Sequence, residues 1–569
     1  MLLLKTIGID LGTTNSLVAY WTDNGPSIIP NVLGSNLTPS VVSVDENGEI
    51  YVGQIAKERM ITHPQLTASI FKRYMGTEKV FNLGKNSFTP EELSSFVIRS
   101  LKSDAEAFFG VEVNEAVISV PAYFNDAQRK ATKRAAELAG LKVERLISEP
   151  TAAAISYGLH QEKSETKFLV FDLGGGTFDV SVLELFEGVM EVKSIAGDNF
   201  LGGEDFTNIL VSHFIEVHSL DLQMLDFKAR ATLQKQAELC KYHLTDSNIG
   251  KMNFVLGDKN FETEIDRADF EKLVNPLLVR LRHPIERALR DADLSPTDLE
   301  AVILIGGATR MPIVKSVVSK IFNKLPFSNI NVDEAVALGA AIQVALKERN
   351  EALSEVILTD VCPYSLGIAI AKPIGNGNHE SGYFLPIIER NTPIPVSKVD
   401  RLYTVQDNQT SIKLEIYQGE GRKVENNIKL GELKIKVSPA SAGEQIIDVR
   451  YTYDINGILE VEVVTVKTGA KARMIIEKAP GTMTAKEIEN RLSALKDLKI
   501  HPRDRTENRL LLARGERMYE ESLGEARDYI SMILQRFENI MALQNNRDVK
   551  KASEELKIQL DEIEGRFKY

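Results

Sequence analysis

The chain has 569 residues, 43% hydrophobic and 26% charged, with a net charge of −12 from 68 basic and 80 acidic side chains. At about 100–200 residues per domain this allows three to five structural units, and the acidic balance argues against nucleic acid as the main partner. Cys240 and Cys362 form no CxxC pair, and the eight histidines form no HExxH motif or His/Cys cluster, which argues against a disulfide framework and a zinc site. The opening "MLLLKTIGID" is too short for a signal-peptide core, and no run approaches 18 apolar residues. The expectation is a cytoplasmic protein with no membrane span.

In chain order, residues 1–354 alternate strand and helix signals. "VISVPAYF" (117–124) reads as a strand, and "NDAQRKATKRAAELAG" as a helix capped by Asn125 or Asp126 and ended at Gly140. "ERLISEPTAAAISYG" repeats the strand-to-helix step and stops at Gly158. "AVILIGGATRMPIV" (301–314) is a strand entering a Gly-Gly turn before a helix. Such alternation predicts α/β layers. From 361 to about 480 the period changes to alternation, with Ile412, Leu414 and Ile416 on one face and a hairpin signal at Asn456-Gly457 before Ile458 and Val463. That is a compact β domain. From Thr484 the pattern is helical. Thr484 and Glu487 form a capping box, and Tyr519, Leu523, Ala526, Ile530, Ile533, Phe537 and Ile540 mark one stripe on a long helix packed against its neighbours.

One corner is written twice. "DLGTTNS" (10–16) follows a short apolar run, and "DLGGGTFD" (172–179) follows "FLVF". Glycines let backbone N–H groups form an anion-binding nest, hydroxyls add donors, and an aspartate at a strand end can hold Mg²⁺ through water. Asp10 with Gly12, Thr13 and Thr14, and Asp172 with Gly174, Gly175, Gly176 and Thr177, could each cradle phosphates. A single such turn is more simply a hairpin. Two copies and a third turn, "IGGATR" (305–310), point to two similar half-domains facing one cleft. No GxxxxGK[ST] occurs, so this is not a P-loop protein. Several carboxylates in one cleft would raise one another's pKa values unless a cation sat among them.

The runs "IGIDLGTTNS", "VISVPAYFNDAQRKATKRAAELAG", "ISEPTAAAISYG", "DLGGGTFDVSVLE", "GDNFLGGEDF", "GGATRMP" and "DEAVALGAA" together resemble the seventy-kilodalton heat-shock chaperone family over nearly the whole chain. Shortened ATPase loops and a short C-terminus look most like its bacterial HscC-type branch. The resemblance implies an α/β actin-like ATPase domain of duplicated ribonuclease-H-like halves (1–354), a linker (355–360), an all-β sandwich that binds extended peptides (361–483) and a short α-helical lid (484–569). It implies an ATP-dependent chaperone whose ATPase domain controls peptide affinity. The implied cofactors are ATP or ADP with Mg²⁺, with K⁺ as a further candidate. The implied partners are unfolded apolar peptides, a J-domain co-chaperone and a nucleotide-exchange factor.

Residue by residue, Lys72 matches the lysine that positions the attacking water and Glu149 the glutamate of the catalytic centre. Asp10 and Asp172 match the Mg²⁺-site aspartates, acting through water. Thr13 and Thr177 match the phosphate-touching threonines, and Asp179 a nearby acid. Gly202, Gly203, Glu238, Lys241, Thr245, Gly306, Gly307, Arg310 and Asp333 match the rest of the nucleotide pocket. Tyr242 stands where the family has an arginine stacking on adenine, and Ala308 where it has serine. Ile412 matches the floor of the peptide pocket, with Ile368 and Ile370 lining it and Ala371 and Val405 near the arch. Val356, Ile357, Leu358 and Asp360 fall in the linker, and Pro121, Arg129 and Arg145 match relay positions. Alternatives from other classes are a sugar or acetate kinase, an actin-like filament protein and an exchange partner with little turnover.

Overall fold

A computed structural model describes residues 5–158, 166–186, 189–327, 330–348, 357–375, 378–454, 457–476 and 501–566. The chain divides into two compact units, Met1–Tyr364 with Glu389–Ile394, and Ser365–Ile388 with Pro395–Tyr569.

The two six-stranded sheets of the first unit share a core plan, an antiparallel meander with a parallel strand beside its first strand. In one lobe β1 (Lys5–Asp10), β2 (Asn15–Thr22) and β3 (Gly25–Ile29) form an antiparallel meander, and β4 (Val113–Val120) and β5 (Lys142–Ser148) add in parallel on the far side of β1. In the other, β6 (Thr166–Leu173), β7 (Phe178–Phe186) and β8 (Val189–Asp198) form the meander, and β9 (Ala301–Ile305) lies parallel to β6. Each Asp-Leu-Gly corner is therefore the first turn of its sheet. The corner is a hairpin in both lobes, and the hairpin is what aims it at the cleft.

Helices follow the strands as the pattern predicts. The first, α1 (Asp126–Leu138), starts at Asn125, whose side chain accepts from the Gln128 N–H while Gln128 reciprocates. Next, α2 (Glu149–Ser156) is buried along "EPTAAAI" and places Glu149 in its first turn. Then come α3 (Gly203–Val217), α4 (Phe227–Asp246), α5 (Arg267–Asp291), α6 (Pro312–Phe322) and α7 (Ala335–Lys347). Alanines of α2 and α7 share one buried cluster with Ile303 and Ile305. Small side chains there let the two helices approach closely and fix the start of α2.

The segment predicted as linker is a strand of this unit. It forms β10 (Ile357–Val361), whose residues Ile357, Leu358 and Thr359 pair in parallel with Val189, Met190 and Glu191 of β8. On its other side Asp360 and Val361 pair with Ile394 and Pro393. Arg390 and Asn391 both donate to the Asp291 carboxylate at the end of α5. Val356, like the Thr484–Glu487 capping box and Asn456, lies outside the described residues.

The second unit contains two four-stranded antiparallel sheets. One has the order β12-β11-β14-β15, made of β11 (Leu366–Gly375), β12 (Asn378–Ile388), β14 (Ser411–Gln418) and β15 (Ile428–Lys436). The other has the order β13-β16-β17-β18, made of β13 (Val396–Tyr403), β16 (Ile446–Tyr453), β17 (Leu459–Thr465) and β18 (Lys471–Ile476). Leu366, Ile368, Leu414, Ile416, Val449, Tyr451, Val461 and Val463 are buried between them. The Tyr451 hydroxyl, fully buried, donates to Gly367 O at 2.9 Å and so joins the sheets.

The predicted long helix is two helices. The apolar stripe runs through α8 (Thr506–Glu521) and α9 (Glu525–Ala542), which are separated at Ser522–Gly524. Gly524 takes φ 58°, a turn that periodicity alone does not reveal, and Leu523 is left 81% exposed. With α10 (Asn546–Arg566), these helices bury Met518, Ile530, Ile533, Leu534, Phe537, Met541, Val549, Leu556 and Leu560. The turn between α9 and α10 meets the sandwich at β13, an edge strand. There the Gln544 carboxamide accepts from the Val399 N–H (3.2 Å) and donates to the Val399 carbonyl (3.1 Å).

Candidate active site

The two corners meet. A cavity of about 500 Å³ is lined by Asp10, Gly12, Thr13, Thr14, Lys72, Glu149, Asp172, Gly174, Gly175 and Thr177, and further along by Gly203, Glu238, Lys241, Tyr242, Thr245, Gly306, Gly307, Ala308, Arg310 and Asp333. The second corner lies so close to the first that a Cβ on Gly175 would sit 1.7 Å from Thr14 Oγ1. Only glycine fits. Gly176 and Gly202 do not line the cavity; they pack behind it, a Gly202 Cβ falling 2.5 Å from Gly176 N.

Four carboxylates and one lysine sit at the buried end. Lys72, in the 3₁₀ turn Phe71–Tyr74, is 3% exposed and donates to Glu149 Oε1 at 2.8 Å. Asp10 ends β1 and accepts from Ser119 Oγ at 2.7 Å. Asp172 and Asp179 face each other across the β6–β7 pair. Asp179 accepts from the Tyr123 N–H at 3.0 Å.

Burial raises the Asp10 carboxyl to about 7, with the Glu149 charge adding to it and Lys72 and Ser119 opposing. Asp179 is likewise raised to about 7 by burial and by Glu149, against the Tyr123 N–H, Lys72 and Arg129. Asp172 is pushed well above its ordinary range by burial, then by Glu149, Asp179 and Asp10. Lys72 responds in the opposite sense: burial opposes its charge, but Glu149, Asp10 and Asp172 together hold it above its ordinary value. The expected mutual elevation of the cleft carboxylates is present.

This donor set fits a hard cation. It offers only oxygen ligands and an excess of negative charge, and a positive ion between Asp10 and Asp172 would relieve both. Among the described residues no three His, Cys, Asp or Glu side chains are grouped as a direct metal cage.

At the outer end Tyr242 is 48% exposed, and its hydroxyl donates to Glu238 Oε1 at 2.8 Å. Lys241 is buried, its ammonium donating to Gly203 O and Thr207 Oγ1. Arg310 donates to Asp333 and Asn331.

Compared with family models, residues 6–567 match the model described as "Hsp70 protein". Proteins named chaperone protein DnaK from Thermotoga petrophila, Thermotoga maritima and Thermotoga neapolitana are each 43% identical over 485 residues, 83% of this chain and 80% of theirs. The chain belongs to the Hsp70 family. As an Hsp70 it is an ATP-dependent molecular chaperone and an ATPase, using ATP or ADP with Mg²⁺ and acting on unfolded polypeptides with co-chaperones. The sugar-kinase and filament alternatives fall away.

Of the residues matched to relay positions, Pro121 and Arg129 are buried and Arg145 is half-buried. Arg129 is 6% exposed and donates to Phe124 O and Ala122 O, bracing the turn that starts at buried Pro121. Arg145 on β5 is lowered by burial, with Asp360 of β10 opposing. Of the residues matched to the family's peptide groove, Ile368 is fully buried, Ile370, Ala371 and Ile412 are half-buried, and Val405 is 37% exposed.

Residue-by-residue reasoning missed Ser119, Tyr123 and Arg73. Their only signal was position, two residues before Pro121, two after it, and next to Lys72. Tyr123 also stacks on Tyr364 (ring centroids 4.8 Å apart) and accepts that tyrosine's hydroxyl at its carbonyl (3.1 Å). In the first unit, β10 thus leads to Tyr364, then to Tyr123, and from the Tyr123 N–H to Asp179.

Proposed function

We propose that ATP lies in the cavity with its phosphates between the two Asp-Leu-Gly corners, and that its hydrolysis sets the affinity of the second unit's sandwich for extended apolar peptide. The carrying observation is that Lys72, Glu149, Asp10 and Asp172 converge in one cavity walled by three glycine corners.

In this reading Lys72, kept protonated by Glu149, orients the attacking water. Gly12, Thr13, Thr14, Gly174, Gly175 and Thr177 donate to phosphate oxygens, Gly176 supports the second corner from behind, and Asp10 and Asp172 hold Mg²⁺ through water. When bound, the ion neutralises charge that develops on the phosphoryl oxygens. The chain supplies position and a dry, fixed set of dipoles. Tyr242 offers an aromatic face to the base in place of the family's arginine, beside Arg310, Asp333, Gly306, Gly307 and Ala308. Glu238, Lys241 and Thr245 line the ribose side, and Gly202 and Gly203 back the phosphate loop.

Residues 1–354 act as the ATPase domain, 355–360 as linker, 361–483 as peptide sandwich and 484–569 as lid. Ile412 floors the peptide pocket, Ile368 supports it from the core, Ile370 lines it, and Ala371 and Val405 form the arch. Val356, Ile357, Leu358 and Asp360 with Pro121, Arg129 and Arg145 carry coupling, a shift of population between two states of different peptide affinity. The partners are a J-domain co-chaperone and an exchange factor, the setting is the cytoplasm, and the branch is HscC-type, a reading that rests on the short ATPase loops.

Single-turnover ATP hydrolysis with and without an extended apolar peptide tests this. Peptide is expected to accelerate hydrolysis, and ATP to release bound peptide. Loss of hydrolysis with retained nucleotide binding is expected for Lys72→Ala. Hydrolysis preserved in that variant overturns the lysine's role, and the absence of any peptide effect overturns the coupling.

A further inference from the structure

Beside Lys72 lies a second buried cation with a different set of partners. Arg73 is 7% exposed and does not line the cavity. Its Nε donates to Gly176 O at 2.7 Å and its Nη2 to Asp205 Oδ2 at 2.5 Å. The same Asp205 oxygen accepts from the Gly202 N–H at 2.8 Å, closing the first turn of α3. Phe71, at the start of the turn that carries Arg73, belongs to the core of the first lobe. Gly176 and Asp205 belong to the second. One guanidinium therefore spans the cleft and fastens two things at once, the second phosphate corner and the start of α3.

Two further observations show that this contact is built in. A Cβ on Gly176 would fall 2.8 Å from Arg73 Nε and 2.4 Å from Thr13 Cγ2, so the corner is seated directly on the guanidinium and on the opposite corner. And Ile70, the residue before the 3₁₀ turn, is held at φ 51°, ψ 17°. A β-branched residue rarely enters the left-handed region and stays there only where its surroundings over-determine it. Here the over-determination is the pair of buried cations that follow: Lys72 anchored on Glu149 and Arg73 on Gly176 and Asp205.

We propose that Arg73 is a positioning residue for nucleotide turnover: a two-point tie across the cleft that seats the Gly174–Thr177 corner for hydrolysis and must break for ADP to leave. Arg73 touches no reacting atom and acts through Gly176 and through Asp205. The proposal rests on the nucleotide reading of the cavity. It predicts a phenotype distinct from that of Lys72, whose loss removes hydrolysis but leaves both lobes tied.

The experiment uses the full chain with a fluorescent ADP, measuring dissociation by stopped flow and single-turnover ATP hydrolysis in parallel, with thermal melting as a folding control. Arg73→Ala and Asp205→Asn are each expected to speed ADP release by about ten-fold, the scale of one charge-assisted hydrogen bond lost from the closed state. The double variant is expected to release no faster than the quicker single one, because both changes cut one tie. Arg73→Lys, which keeps the charge but not the fork, is expected to fall between wild type and Arg73→Ala. Wild-type release from a folded Arg73→Ala variant, or effects that multiply in the double variant, overturns the tie alone. A wild-type chain that binds no ADP overturns the nucleotide reading and the tie with it.

Discussion

Lys72 and the carboxylates around it are one electrostatic object. Asp10 and Asp179 have an ordinary value of 3.8 and are raised to about 7 by burial and by Glu149. Between those values the native chain keeps protons that the unfolded chain has released, so stability falls as pH rises through the window and levels off above it. The nucleotide-free protein is therefore expected to lose melting temperature from about pH 4 to pH 7. Mg²⁺ with ADP should restore it most at the alkaline end. Binding the ion favours ionised carboxylates, so calorimetry at pH 6.5 in two buffers of different ionisation enthalpy should record proton release, smaller at pH 8.5. Heats independent of buffer would mean that these groups are already ionised. Asp10, Gly12, Thr13, Asp172 and Thr177 were legible because phosphate-cradling chemistry is local: the residues that do it are neighbours in sequence. Arg73 was not, because its partners Gly176 and Asp205 lie 103 and 132 positions away and nothing local distinguishes it from a surface arginine.

At the scale of elements, β10 matters most. Its parallel pairing with β8 extends a sheet whose other strands carry Asp172 and Asp179. So short a strand is held by a few ladder bonds on each side, each worth roughly 1 kcal/mol net, so one lost bond is a large share of its docking. Leu358→Pro, which cannot sustain the ladder, should undock β10. The expected result is hydrolysis that no longer responds to peptide while ATP affinity is unchanged; a full peptide response in that variant would show that pairing with β8 is not needed for coupling. The segment "EVILTD" read as a linker; that it pairs as a strand was not legible, since parallel partners lie far apart in sequence. The opposite failure occurred at 519–540. The stripe is real and Ile530, Ile533 and Phe537 are in the bundle core, yet the period passes unbroken through Leu523 while the backbone turns at Gly524.

Across the whole molecule, the repeated corner announced two half-domains, and the two meanders with their parallel additions have matching order. A β domain was equally plain from alternation, and the family resemblance implied its sandwich form. What no pattern announced was how the second unit closes its own open edge. Among the described residues β13 ends its sheet, and the outer side of such a strand is the kind of row onto which extended peptides add as a further strand. Gln544 meets Val399 there with one acceptor and one donor, as a neighbouring strand would. For a chaperone that acts on unfolded polypeptides, the consequence is self-restraint: with a bare strand edge it would be a client for its own copies. Gln544→Ala should leave the fold intact and raise concentration-dependent association, seen as a shift to faster species in sedimentation velocity and reversed by an excess of short β-forming peptide. A variant that stays monomeric at all concentrations would assign the protection of β13 to other residues.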